Sequence, residues 1–313
     1  MKFFEWLEIW LNKYAKNRIK VKTFILYQNL IRLHIHPELG NYELRKLSIP
    51  LLQDFINNKI ENVNKVTGKP LSTNTILAMA SILKQSLKCA LKLELIDKDC
   101  YSSLVMPRLK EKPIEIFDIK EQKKLERYCL NSKKTNHLGI VICLYTGIRI
   151  GELLALRWED VDFNKKIIHI HQTLSTMKIN GKITLTIDDP KTKKSNRIIP
   201  IPSNIVSVLK RMRKNTNSIY VVTTKNNSPV SIRSYQRTFQ SIQRQCNIHY
   251  KNFHVLRHTF ATRALETGMD VKTLSEILGH SSASITLDRY THSLLNYKIA
   301  MMNKIGKMLI DVK

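Results

Sequence analysis

The stretch from His254 to Tyr290, HVLRHTFATRALETGMDVKTLSEILGHSSASITLDRY, constrains this chain more than any other. Gly268 and Gly279 each follow a periodic apolar run and tolerate the left-handed conformation that stops a helix. Asp270 predicts an N-cap for a helix over Val271–Leu278. The stretch therefore reads as three or four short helices with tight corners. His254 and Arg257 stand at helical i and i+3 and share a face, so both can address one phosphate. The corners could bring His254, Arg257, His280 and Tyr290 to one point. A tyrosine beside two histidines and an arginine suggests a phenol oxygen attacking a phosphodiester. Taken singly, each of these residues is more often a packing or surface residue, so the rest of the chain has to decide.

Charge points the same way. The 313 residues carry 52 Lys and Arg against 25 Asp and Glu, a formal charge of +27, which favours a polyanion as partner and nucleic acid first. Of these, 19 basic and 10 acidic residues lie up to Lys112, so both halves are basic and this is not one basic tail. Apolar residues make up 43%, which excludes a disordered chain. The length suggests two domains. Five cysteines (Cys89, Cys100, Cys129, Cys143 and Cys246), odd in number and without CxxC spacing, argue against a disulfide framework and against a zinc site. Reduced thiols in a cytoplasmic protein are the expectation. The opening MKFFEWLEIWLNKY is interrupted by Glu5, Glu8 and Lys13 and reads as an amphipathic helix, not a signal peptide. No apolar run reaches the roughly 18 residues of a membrane span, so no membrane partner is expected.

Residues 1–105 read as all helix. Helices are predicted over about Phe3–Tyr14, from Val21 to about His36 with Pro37 and Gly40 ending it, over Ser48–Val63, and from a Ser72 or Thr73 cap through Asn74–Leu93. The polar side of the last carries Lys84, Lys88 and Lys92, candidate phosphate contacts. Residues 106–114 form the predicted linker, because YSSLVMPRLKEKPIEI holds two prolines and no periodicity. Residues 115–313 form the second domain. Helices over Ile119–Asn131 and His137–Thr146 lead to Gly147. Arg149 then opens a helix and can add to an anion site at its N-terminus, with Glu152 placed to orient the guanidinium. Over 165–201 the period changes. KIIHIHQTL and KITLTI alternate around Asn180-Gly181, a hairpin signal. The turn DDPKTKKSNRIIPIP carries Lys191, Lys193, Lys194 and Arg197, either solvated or reaching into a DNA groove. Residues 203–250 return to helix, irregular at Thr223–Pro229, and Leu294–Leu309 is an apolar and basic helix or tail.

Four boxes, TGIRIGELLALRWEDVD, PKTKKSNRIIPIP, HVLRHTFAT and LGHSSASITLDRYTH, resemble in order the signature boxes of the tyrosine recombinase (phage integrase) family over about residues 115–295. The first hundred residues resemble that family's core-binding domain by pattern alone. The resemblance implies a mainly α fold with a small antiparallel β-sheet, in two domains: a helical core-binding domain and an α+β tyrosine recombinase catalytic domain. It implies a site-specific integrase that cuts and rejoins DNA through a 3′-phosphotyrosine, integrating or excising a mobile element. Arg149 and Arg257 would hold the non-bridging oxygens of the scissile phosphate. Tyr290 would be the nucleophile. Lys191, with Lys193 and Lys194 as close alternatives, would protonate the leaving 5′-oxygen. His254 would move the tyrosine's proton, His280 would bond the phosphate, and Glu152 would be the supporting acid.

The phosphotyrosine conserves the diester's bond energy, so neither metal, ATP nor any other cofactor is expected. The absence of a Walker motif and of a carboxylate cluster agrees. The implied partners are double-stranded DNA, a homotetramer on two duplexes formed from monomers, and a directionality factor. The family's extra N-terminal arm-binding module is expected to be absent. The rival classes are a helix-turn-helix regulator using Asp270–Tyr290, which leaves Arg149, Lys191 and the His254/Arg257 pair unexplained, and a type IB topoisomerase, which needs no paired sites.

Overall fold

The computed structural model describes residues 1–61, 68, 70–108, 113–132, 134–179, 182–188, 196–280, 282–290 and 295–309. It divides into two compact units, Met1–Lys112 and Pro113–Lys313.

The first unit is helical. α1 (Phe3–Ile9) continues through a wide turn over Trp10–Ala15. α2 (Val21–Leu30) continues through another over Ile31–Ile35 into α3 (His36–Leu39). α4 (Ile49–Glu61) and α5 (Thr73–Lys92) close the bundle. Phe3, Trp6, Leu52, Leu83 and Leu87 are buried at its centre. Ser72 caps α5, its hydroxyl accepting from the Thr75 amide at 3.2 Å. Pro37 does not end the second helix, contrary to the sequence reading. It sits in the first turn of α3, where its missing N–H costs nothing. The wide turn before it is where the proline ring would otherwise strike the Leu33 carbonyl four residues back.

In the second unit α6 (Ile119–Leu130) starts at a capping box that the sequence reading missed: Asp118 accepts from the Glu121 amide at 2.7 Å, and Glu121 returns the bond. α7 (Thr135–Thr146) is buried on nearly every side, as its apolar sequence requires, and packs against α6, α9 (Ser203–Lys214), α10 (Ile232–Gln245) and α11 (Val255–Glu266). α8 (Ile150–Ala155) follows, then β1 (Val161–Asp162), β2 (Ile167–Ile170), β3 (Thr173–Ile179), β4 (Lys182–Asp188) and β5 (Arg197–Pro200). The alternating run KIIHIHQTL is not one strand. It breaks at His171-Gln172, so β2 joins an antiparallel sheet of order β1-β2-β5, while β3 pairs, among the described residues, with β4 alone. Among the described residues the small antiparallel sheet expected is thus a three-stranded sheet with the β3-β4 hairpin beside it in sequence. Ile179 opposite Lys182 leaves a two-residue connection, and its residues Asn180 and Gly181 lie outside the described set. α12 (Val271–Leu278), α13 (Ala283–Tyr290) and α14 (Leu295–Leu309) complete the chain, with α14 touching α11.

Gly147 ends α7 in the left-handed region, at φ +63°. A Cβ there would stand 2.5 Å from Phe260 Cδ1 and 2.8 Å from a Leu278 methyl. Gly147→Ala is expected to destabilise the protein by about 2–4 kcal/mol, from backbone strain plus overpacking. A thermal melt within a degree or two of wild type would contradict this.

Candidate active site

The loop after α7 and the loop after α12 meet, and arginines join them. Gly279 caps α12 at φ +65° and turns the chain toward His280, whose amide bonds back to the Ser275 carbonyl at 3.1 Å. The last carbonyls of a helix lack intrahelical partners and carry the negative end of its dipole. Here three successive carbonyls each take an arginine. Arg197 Nε donates to the Ile277 carbonyl at 2.6 Å, Arg257 Nη2 to that of Leu278 at 2.7 Å, and Arg149 Nη2 to that of Gly279 at 3.1 Å. Arg257 also donates through Nη1 to the Gly147 carbonyl at 2.9 Å. These bonds fix the plane of each guanidinium.

Glu152 organises the arginines from below. Its side chain is 6% exposed. Oε1 accepts from Arg149 Nη1 at 2.8 Å and from Arg197 Nη1 at 3.1 Å. Oε2 accepts from Arg197 Nη2 and from the Arg149 amide, both at 2.9 Å. Burial pushes this carboxyl up, but the bonds and charge of Arg197, then the charge of Arg149, outweigh it and hold it at about 2.

Arg257, on α11, and Arg149, at the start of α8, differ in exposure. Arg257 is 2% exposed, while the Arg149 side chain is 37% exposed. His254 is exposed at the N-terminus of α11, its ring edge-on to that of His258 at 4.7 Å between centroids. His280 is half-buried, with Nδ1 2.7 Å from the hydroxyl of buried Thr286. Tyr290 is the last residue of α13, the helix that begins three residues after His280. Lys191, Lys193 and Lys194 lie outside the described residues. Lys84, Lys88 and Lys92 are exposed along one side of α5 in the other unit.

Arg197 corrects the sequence reading. The basic turn predicts it, with the lysines, as a DNA contact, yet its side chain is only 5% exposed. The reason is strand parity. In β5 Arg197 and Ile199 face inward while Ile198 and Pro200 face out, so the guanidinium is delivered to the core side, against Glu152. The alternation in RIIPIP carried that signal. Thr286 was also missed. A single threonine within SITL marks a buried polar site only once its partner is known.

The model of the Phage integrase family matches residues 115–296, and that of the phage integrase N-terminal SAM-like domain matches residues 2–60. The chain belongs to the phage integrase family. It is 30% identical, over 97% of its own length and 82% of the relative's, to a tyrosine recombinase XerC-like protein of Caldanaerobacter subterraneus subsp. tengcongensis. Its fold is that of the Tn1549 transposon integrase in complex with transposon right end DNA, at a TM-score of 0.80 and 23% identity, covering 98% of this chain and 100% of that one. The λ integrase tetramer bound to a Holliday junction shares the fold at a TM-score of 0.67 and 17% identity, over 90% of this chain and 78% of that one. Membership makes the chain a DNA-cleaving and rejoining enzyme, a site-specific tyrosine recombinase.

Proposed function

We propose that this recombinase integrates or excises a mobile DNA element, acting in the cytoplasm as a tetramer on two duplexes assembled from monomers. The observation that carries the site assignment is the clasp of Arg149 and Arg257 on the consecutive carbonyls of Gly279 and Leu278, which sets two guanidiniums beside the turn into His280. Two fixed cations there offset the charge that builds on a pentacoordinate phosphorus. The Tyr290 phenol oxygen attacks the scissile phosphorus and its proton passes to His254. The bond from phosphorus to the 5′-oxygen breaks, and that oxygen takes a proton from Lys191, or from Lys193 or Lys194. The products are a 3′-phosphotyrosine and a free 5′-hydroxyl. Attack by a partner strand's 5′-hydroxyl reverses the step, so rejoining needs no ATP and no metal. His280, held by Thr286, bonds a phosphate oxygen. Lys84, Lys88 and Lys92 bind the duplex backbone.

Covalent trapping tests this. A nicked suicide duplex, built from DNA flanking the gene, is expected to give an SDS-resistant adduct with the wild-type protein. Tight binding without any adduct would favour a DNA-binding regulator instead. Relaxation of any supercoiled plasmid, without paired sites, would favour a topoisomerase.

Duplex binding is expected to weaken about a thousandfold between about 50 mM and about 200 mM salt, because each neutralised phosphate releases counterions. Fluorescence anisotropy across that range checks it, and a flat response would refute the assignment of backbone contacts.

A further inference from the structure

We propose that Arg197 is a positioning residue for strand cleavage, fixing through Glu152 and the end of α12 both the Arg149 guanidinium and the turn into His280. This rests on the reading of Arg149 as a phosphate ligand. The Arg197 side chain is 5% exposed. Its two terminal nitrogens meet the two oxygens of Glu152, and its third nitrogen meets the Ile277 carbonyl. It thereby ties α8, whose N-cap is Arg149, to the C-terminus of α12, from which the chain turns into His280. The fit leaves no slack, since a Cβ on Gly279 would stand 3.0 Å from Arg197 Cδ and Nη1.

The consequence is electrostatic as well as steric. Glu152 is faced by Arg197 from β5 and Arg149 at the start of its own helix, with the Cys143 thiol of α7 within electrostatic reach. Asp160, His169 and His171 line a small cleft with it. Without Arg197, burial would be opposed mainly by Arg149, and the carboxyl would shift upward. A protonated Glu152 holds the Arg149 fork less well. The carboxylate form prevails at high pH, so an Arg197→Gln enzyme should work best at high pH and lose activity as pH falls.

The test is single-turnover cleavage of the nicked duplex by full-length protein, from about pH 9 down to about pH 6, the range where buried carboxyls titrate. Wild type should show no acid limb from Glu152. Arg197→Gln should bind the duplex as wild type does, cleave roughly tenfold more slowly at the low end, and recover toward high pH. The limb should vanish in the double variant Arg197→Gln/Glu152→Gln, which has no carboxyl to titrate there. It should move toward wild type in Arg197→Lys, which restores the charge. A wild-type profile in Arg197→Gln, or a limb that persists in the double variant, overturns the proposal. If Arg197→Gln fails to fold, Arg197→Lys decides: a partial acid limb within this range, where wild type has none from Glu152, supports the proposal, and a profile like that of wild type overturns it. Wild-type protein that never cleaves overturns the site reading itself, and this proposal with it.

Discussion

A Tyr290→Phe protein is expected to bind its core duplex as wild type does and to form no covalent adduct at all. The change removes one oxygen and keeps the ring. Both units are basic, so binding is expected to draw on phosphate contacts of many lysines and arginines, to which a phenol adds little. In the proposed mechanism cleavage, in contrast, has no route without the phenol oxygen, because the intermediate would be an ester of that oxygen. The loss should be complete, with no residual band on an SDS gel where wild type gives one. Tyr297→Phe, on α14, serves as the control and should keep the adduct. An adduct that survives Tyr290→Phe and disappears in Tyr297→Phe would move the nucleophile to the next helix.

What the sequence made legible follows from how local each signal is. Gly147 and Gly279 were readable as corners because only glycine adopts a positive φ without strain, and both do so. Asp270 was readable as a cap because its bond to the Thr273 amide spans three residues. The contact of Arg149 with Glu152 spans three residues as well, and a helix start places them together. The pairing of Arg197 with Glu152 spans 45 residues and depends on two strands and a helix being packed first. Composition around Arg197 pointed to a solvated turn, and only strand parity pointed inward. The break between β2 and β3 has the same origin. An alternating run shows that strands form, but not which sheet claims each half.

Arg257→Lys is expected to cleave about a hundred to a thousand times more slowly than wild type, the cost of removing one preorganised donor from a developing charge. Lysine keeps the charge but not the fork. The Arg257 guanidinium spans the carbonyls of Gly147 and Leu278, two loops joined by one flat group. An ammonium on a flexible stem reaches one of them and leaves the other buried and unbonded, which costs about 1–3 kcal/mol in stability. Both defects should therefore appear together, a slower single-turnover cleavage and a lower melting temperature. Arg149→Lys separates the two effects. Its side chain is 37% exposed, so water can replace the bond it makes to the Gly279 carbonyl, and stability should change little while cleavage falls by a similar factor. Melting curves and cleavage rates of the two variants, measured side by side, decide the matter. Equal melting temperatures would mean that the buried fork of Arg257 does not hold the loops together. An unimpaired cleavage rate in Arg257→Lys would mean that charge alone, without the geometry of the fork, suffices at the phosphate.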